Sequence, residues 1–238
     1  MIDVHSHLIP TVDDGATTIE DTAKMLKEAE KAGFTDIILT SHYMPEYYEV
    51  EAQIVNTWTH ELKSILDKEN ISINLYTGNE VYITEDIDKL ITSNSICTLA
   101  GSRYLLMELP MSSNVKYLNN ILFTLKSMQI VPVIAHPERY EYVQENPDMI
   151  RELIEQGCLI QCNYASTIGF YGSKAKKTLK LLLKKDLVHL LGSDCHKPNT
   201  IYKDMEKITK KLKKMISEEQ FYRITVENPN MILKNENF

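Results

Sequence analysis

The 238-residue chain reads as an α/β protein whose parallel strands close into a barrel, and two observations predict this. Short β-branched runs alternate with longer amphipathic segments about seven times without a Pro-, Gly- or Ser-rich linker, which implies parallel strands joined by crossover helices. A histidine or a carboxylate also stands at or just past the C-terminal end of nearly every predicted strand. A barrel gathers those ends on one face around one pocket, whereas a doubly wound sheet brings fewer of them to its crevice.

The elements follow in order. IDVH is the first strand, and TIEDTAKMLKEAEKAG the first helix, with Thr18 and Asp21 as an N-terminal capping arrangement and Gly33 as its stop. DIILTS is the next strand, followed by the helical VEAQIVNTWTHELKSILDKEN, the strand INLYTGNE and a short acidic segment. YLLMELP leads into the helical VKYLNNILFTLKSMQ, VPVIAH into a helix around PDMIRELIEQG, and LIQCN into SKAKKTLKLLLKKD. VHLLGSD is the last strand, and two or three helices complete the chain. No repeat, low-complexity stretch or composition break divides it, so one domain is expected over residues 1–238.

Composition narrows the function classes. Hydrophobic residues make up 43% and charged residues 25%, an ordinary globular balance. A net charge of -7 and a pI of about 5.5 argue against nucleic acid as the partner, because phosphate neutralisation needs a basic surface. The Lys-rich KAKKTLKLLLKKD and KITKKLKK read as solvated helix faces. No apolar run approaches the ~20 residues of a membrane span. IDVH and SHLIP stand where a secretory signal would need a basic and then an apolar region. Cys97, Cys158, Cys162 and Cys195 do not form a dense disulfide framework, so a reduced, cytoplasmic protein is expected.

The chemistry lies in the strand ends. His5 and His7 project from one face of an extended segment and suit convergence on one metal ion. Alone, an H-x-H pair is weak evidence. It is joined by Asp14, His42 in TSHYMP, Glu80 in TGNEVY, Glu108 in LMELP, His136 in IAHPERY, and Asp194 with His196 in GSDCHK. Apolar strands that end in buried acids need a compensating charge, and metal ions supply it. Nine candidate ligands exceed one tetrahedral ion, so two or three divalent ions are expected, with Glu80 as a bridging carboxylate. An imidazole and carboxylate set without thiolate fits manganese, iron or zinc. A close metal pair can present a bridging hydroxide to phosphorus while neutralising the leaving oxygen, which is the chemistry of phosphomonoester hydrolysis. Arg139, in HPER, is placed to give a bidentate contact to phosphate, and the catalytic assignment falls on Arg139, His136 and Asp194.

Other candidates read as structural. His60 lies in a helical pattern and His189 early in an apolar strand. Cys97 through Arg103 has the C-x5-R spacing of cysteine-dependent phosphatases, but a strand follows it, so no helix N-terminus is available to activate the thiol. Cys195 alternates away from Asp194 and His196 and is expected to pack. Tyr43, Tyr47 and Tyr48, beside His42, are candidates to stack on a substrate ring, with a tyrosine-rich surface loop as the alternative.

HSHLIPTVDDG, TSHYMP, GNEVYI, MELP, HPERYEYV, IQCNYASTIGFYGSKAKK and GSDCHK, in this order, resemble the polymerase-and-histidinol-phosphatase (PHP) superfamily, and within it the bacterial capsule-associated tyrosine-protein phosphatases. The resemblance runs to the terminal ENPNMILKN. It implies a distorted (β/α)7-type barrel with manganese as the usual metal, acting on the phosphotyrosine tail of a bacterial tyrosine kinase in capsule and exopolysaccharide assembly. It further implies one ion on His5, His7, Glu80 and Asp194, a second on Glu80, Glu108 and His136, and a third on Asp14, His42 and His196, with Arg139 on the phosphate. The family's second arginine is missing from KPNTIYKD, where Lys197 or Lys203 would have to substitute without the bidentate fork. A histidinol-phosphatase-like enzyme, a nuclease and a non-catalytic metal-binding regulatory module are the competing functions.

Overall fold

Most strands are buried on both sides, because alternate residues line the bore of a barrel or pack beneath an outer layer of helices. The computed structural model of the chain describes residues 1–238. The strands are β1 (Ile2–Asp3), β2 (Asp36–Met44), β3 (Tyr48–Glu49), β4 (Asn74–Tyr82), β5 (Tyr104–Glu108), β6 (Val131–Ala135), β7 (Leu159–Asn163) and β8 (Leu190–Gly192). The helices are α1 (Ile19–Lys31), α2 (Ala52–Glu69), α3 (Ile87–Thr92), α4 (Leu118–Ser127), α5 (Glu141–Glu145), α6 (Met149–Glu155), α7 (Gly172–Lys184), α8 (Met205–Leu212), α9 (Glu218–Tyr222) and α10 (Asn228–Leu233). The predicted strands and major helices all appear. The acidic segment adds the short α3, and Tyr48–Glu49 turns back as β3, antiparallel on β2.

The strand order is β1-β2-β4-β5-β6-β7-β8, parallel throughout. The Thr18 side chain accepts from the Asp21 amide at 3.1 Å and caps α1, and Gly33 past its end has φ +90, so both predicted signals operate. Between β8 and β1 the sheet has no ladder, only a bridge of Ser6 with Cys195. The seam is stitched instead by backbone bonds from Asp194 N to His5 O at 2.8 Å and from His7 N to Cys195 O at 3.1 Å. Buried Asp3 reinforces it: Oδ1 accepts from Ser193 N at 2.8 Å, and Oδ2 accepts from Tyr202 Oη at 2.7 Å. The strands approach closely enough that a Cβ on Gly192 would lie 2.5 Å from the His5 Cβ.

Two apolar clusters result. One of 50 buried residues fills the space between sheet and helices. The other, 11 residues including Ile38, Leu106, Val133, Leu159 and Leu190, plugs the bore. No helix is long and apolar enough to cross a membrane.

Candidate metal centre

Continuing along the bore from that plug, the inward-facing positions become polar. In β2 the step from Ile38 through Thr40 reaches His42, and in β5 the step from Leu106 reaches Glu108. His42 and Glu80 are partners in the β2–β4 register and lie inside their strands rather than past the ends. His136 follows β6 in a left-handed conformation, φ 34, and Asp194 follows β8 at φ 53. Such conformations are costly for residues with a side chain and cluster at functional sites, and here they break strand alternation at two site residues.

All nine predicted ligands meet at this mouth. Glu80 Oε2 is the hub, 3.1 Å from His5 Nε2, 3.2 Å from His7 Nε2 and 3.2 Å from His42 Nδ1. It nevertheless has no hydrogen-bond donor, and buried His42 Nδ1 and His136 Nδ1 also lack partners. The Nε2 atoms of His5 and His7 are 3.2 Å apart. Glu80 Oε1 meets His136 Nε2 at 2.8 Å, with Glu108 Oε1 3.8 Å from the same nitrogen. Asp14 Oδ1 lies 3.4 Å from His42 Nε2 and 3.3 Å from His196 Nε2.

Asp194 is divided between two tasks. Its Oδ2 accepts from Arg139 Nη1 at 2.8 Å, Asn163 Nδ2 at 2.7 Å and Tyr171 Oη at 3.2 Å. Its Oδ1 faces the imidazoles of His5, His7 and His196 at 3.5–3.6 Å. The guanidinium of Arg139 lies 4.4 Å over the Tyr171 ring.

Burial alone would depress His5, but the Glu80 and Asp194 carboxylates outweigh it and lift its pKa to about 9. Burial and the His7 charge push His42 down to about 4. Burial and the neighbouring Glu80 charge push Glu108 up to about 8. Against burial, His5 and His42 hold the Glu80 carboxyl well below the usual range.

Three groups of ligand atoms lie within 4.8 Å of one another: His5, His7, Glu80 and Asp194; His7, Asp14, His42 and His196; and His42, Glu80 and Glu108. The first is the expected quartet. In the other two the packing differs from expectation, with His7 and His42 each shared between groups and His136 reaching Glu80 and Glu108 from the side. The donor set, imidazole nitrogens and carboxylate oxygens without a thiolate, fits hard or borderline divalent ions.

Around the candidate ligands lies a shell that sequence reasoning missed. Asp13, rather than Asp14, is the deeply held member of the aspartate pair: its Oδ2 meets His7 Nδ1 at 3.0 Å and accepts from the His42 amide at 3.0 Å. Gln161 Oε1 meets His5 Nδ1 at 2.8 Å. Tyr140 donates to Ala135 O at 2.6 Å and accepts from Leu109 N at 2.9 Å, bracing the residues beside His136 and Glu108. Glu138 Oε1 accepts from Asn163 N at 2.8 Å and from Ser166 Oγ at 2.7 Å, tying the HPER turn to the end of β7. The adjacency of Asp13 and Asp14 was the one available signal, and it did not say which carboxylate turns inward.

Several substrate-contact expectations need correction. Tyr43 does not face the mouth: His42 points inward, so its strand neighbour points outward, and the ring is 7% exposed within the outer core. Tyr48 takes the position beside the site, stacked on His42 with centroids 5.9 Å apart, while Tyr47 is exposed. A cavity of about 400 Å³ at the mouth is lined by Asp14, Arg139, Phe170, Tyr171, Asp194, His196, Lys197, Thr200 and Ile201. Lys197 therefore reaches the site. Lys203, in the turn Tyr202–Asp204, does not line it, because the buried Tyr202 anchors that turn on Asp3 and leaves Lys203 in solvent.

The structural expectations elsewhere hold. Cys195 is buried, with Sγ 3.8 Å from Met25 Sδ, and its thiol is pushed up to about 11 by burial. The Cys97 thiol is likewise raised to about 11 by burial, while Arg103 binds Asn235 and Asn237. His189 Nδ1 accepts from Ile160 N, and His60 lies exposed on α2.

The sequence profile of a family described as capsular polysaccharide synthesis, CpsB/CapC, matches residues 1–234. The tyrosine-protein phosphatase YwqE of Bacillus subtilis is 30% identical over 99% of this chain and 92% of its own length. A crystal structure from work on YwqE and CpsB of Streptococcus pneumoniae, described as unique metal-dependent tyrosine phosphatases, superposes with a TM-score of 0.93 at 29% identity, covering 100% of this chain and 96% of that one. The histidinol phosphate phosphatase of Lactococcus lactis, solved with zinc, L-histidinol and phosphate, shares the fold at a TM-score of 0.58 and 16% identity, covering 90% and 93%.

Proposed function

Because the chain belongs to the CpsB/CapC capsular polysaccharide synthesis family, we propose that it is a metal-dependent protein-tyrosine phosphatase whose site is the mouth around Glu80. The observation that carries this reading is Glu80 Oε2, surrounded by three imidazole nitrogens at 3.1–3.2 Å without one hydrogen-bond donor, beside an arginine and an open cavity. Bound divalent ions, with manganese our choice, supply positive charge to phosphate oxygens and activate water. His5, His7, Glu80 and Asp194 would hold one ion, His42, His136 and Glu108 would join Glu80 around a second, and Asp14, His42 and His196 would hold a third.

The chain's own groups do the rest. Arg139 is fixed at Asp194 through Nη1 and by the Tyr171 ring, which leaves the remaining donors of its fork for phosphate oxygens. Lys197 adds a point charge at the rim where the family's second arginine is missing. A phenolate leaving group, from a phenol of pKa about 10, needs less protonation than an alkoxide, so a strong general acid is not required. The physiological substrate would be a phosphotyrosine protein, a bacterial tyrosine kinase by the resemblance above. The free cysteines agree with a reducing cytoplasm.

The test is phosphate release from a phosphotyrosine peptide and from histidinol phosphate, before chelation, after it and after manganese return. Metal-dependent release that favours the peptide supports the reading. Preference for histidinol phosphate, or no metal-dependent release, overturns it. Arg139→Ala should lower turnover at least about 100-fold while metal content stays constant.

A further inference from the structure

The Lys-rich segment after β7 forms more than a solvated face. Helix α7 begins directly after Tyr171, whose hydroxyl bonds Asp194 and whose ring lies under Arg139, so its first turn borders the catalytic mouth. From there Lys174, Lys177, Lys180 and Lys184 recur at helical spacing along one wall of a groove of about 580 Å³, with Pro147 and Leu181 among its apolar lining. Glu145 is the only acidic residue in that lining. Lys185 is occupied by Asp148 at 2.6 Å, whereas the four groove lysines have no carboxylate partner. Unpaired cations collected in a concavity of a chain with net charge -7 call for an anionic occupant.

Length and position identify that occupant. Ten residues of helix span about 15 Å, which an extended polypeptide covers with about five residues. The groove starts one helical turn from the residue that positions Arg139 and runs away from the mouth. We infer that the α5–α7 groove docks an acidic polypeptide segment flanking the phosphotyrosine of the substrate protein, an inference that rests on reading the mouth as a phosphotyrosine phosphatase site.

The test compares wild type with the triple variant K174E/K177E/K180E, whose positions are all exposed. The substrates are a phosphotyrosine peptide extended by a run of about five glutamates, the same peptide with glutamines, and p-nitrophenyl phosphate. For the glutamate peptide KM should rise about tenfold in the variant with kcat within about twofold. Both constants for the glutamine peptide and for p-nitrophenyl phosphate should hold. Raising the salt from about 0.05 to 0.3 M should erase the wild-type preference for the glutamate peptide. An unchanged KM for that peptide, or equal losses on all three substrates, overturns the inference. So does a phosphate-free anionic polysaccharide that binds wild type but not the variant and leaves peptide KM untouched, since the groove then serves another polymer. Fluorescence anisotropy of a phosphate-free glutamate peptide reads the groove independently of turnover. Lysine-dependent binding without metal-dependent hydrolysis of any substrate would reject the phosphatase reading and keep the groove.

Discussion

The floor and the mouth of the barrel are built by the same strands a few residues apart, yet they obey opposite energetics. At the floor, Ile38, Leu106, Val133, Leu159 and Leu190 pack into an apolar plug that stabilises the fold by burial. At the mouth, His42, Glu80, Glu108 and Asp194 bring carboxylates and imidazoles into the same low-dielectric bore, and Glu80 Oε2 is left without a donor. The difference teaches where stability ends and function begins. Burial alone holds the floor, whereas on the proposed reading the mouth is completed by metal ions that compensate its buried charge.

The largest test of this contrast is Glu80→Gln. Activity should fall more than about 100-fold and bound metal should be lost, since a missing ligand costs more than a missing outer contact. The chelated variant should melt within about 2–4 °C of chelated wild type, because the floor is untouched. A large drop in melting temperature would show that Glu80 also carries the fold. Leu106→Ala makes the reciprocal change one inward position below Glu108. It should cost about 3 kcal/mol in unfolding free energy while metal content per folded molecule and turnover at low temperature persist. If the metal disappeared from folded protein, floor and mouth would not be separable.

A smaller effect is expected between the two regions. Asp13→Asn removes the carboxylate that orients His7, and metal affinity, measured by competition with a chelating dye, should weaken about 10- to 100-fold. Unchanged affinity would make Asp13 a loop brace only.

The smallest effect is a slope with pH. In chelated protein Glu108 is raised from 4.5 to about 8 and His5 from 6.5 to about 9, so the folded state binds more protons than the unfolded state in both windows. Stability from these groups is therefore fully present below their unfolded values and is lost as pH rises toward 8 and 9. Metal binding displaces those protons, so chelated protein should lose melting temperature from pH 7 to 9 more steeply than loaded protein, and loading should release protons at pH 7. Parallel melting profiles would contradict both shifts.

Much of the site was legible because ligand chemistry is conspicuous: histidines and acids placed at the ends of one apolar strand after another are costly to bury unless a cation compensates them. What stayed hidden was orientation. Tyr43 follows His42 immediately, and only the direction in which His42 points decides that the tyrosine is core. His136 and Asp194 reach the site through left-handed backbone that no periodicity announces. Asp13 and Asp14 are chemically identical neighbours, told apart only by the tight turn at the following Gly15, where a Cβ would lie 2.3 Å from His7 O. The fold was clearer than its rim, since strand and helix periods repeat while a two-residue β3 and the Lys203 turn follow from tertiary packing.

The seam between β8 and β1 makes the chain's first and last strand-end motifs meet directly, with Asp194 N on His5 O. During synthesis, therefore, the opening HSH motif must wait for nearly two hundred further residues before its partner emerges from the ribosome. A nascent chain stalled before β8 would carry seven of the nine candidate ligands but lack Asp194 and His196, so the quartet around His5 and His7 closes only late in synthesis.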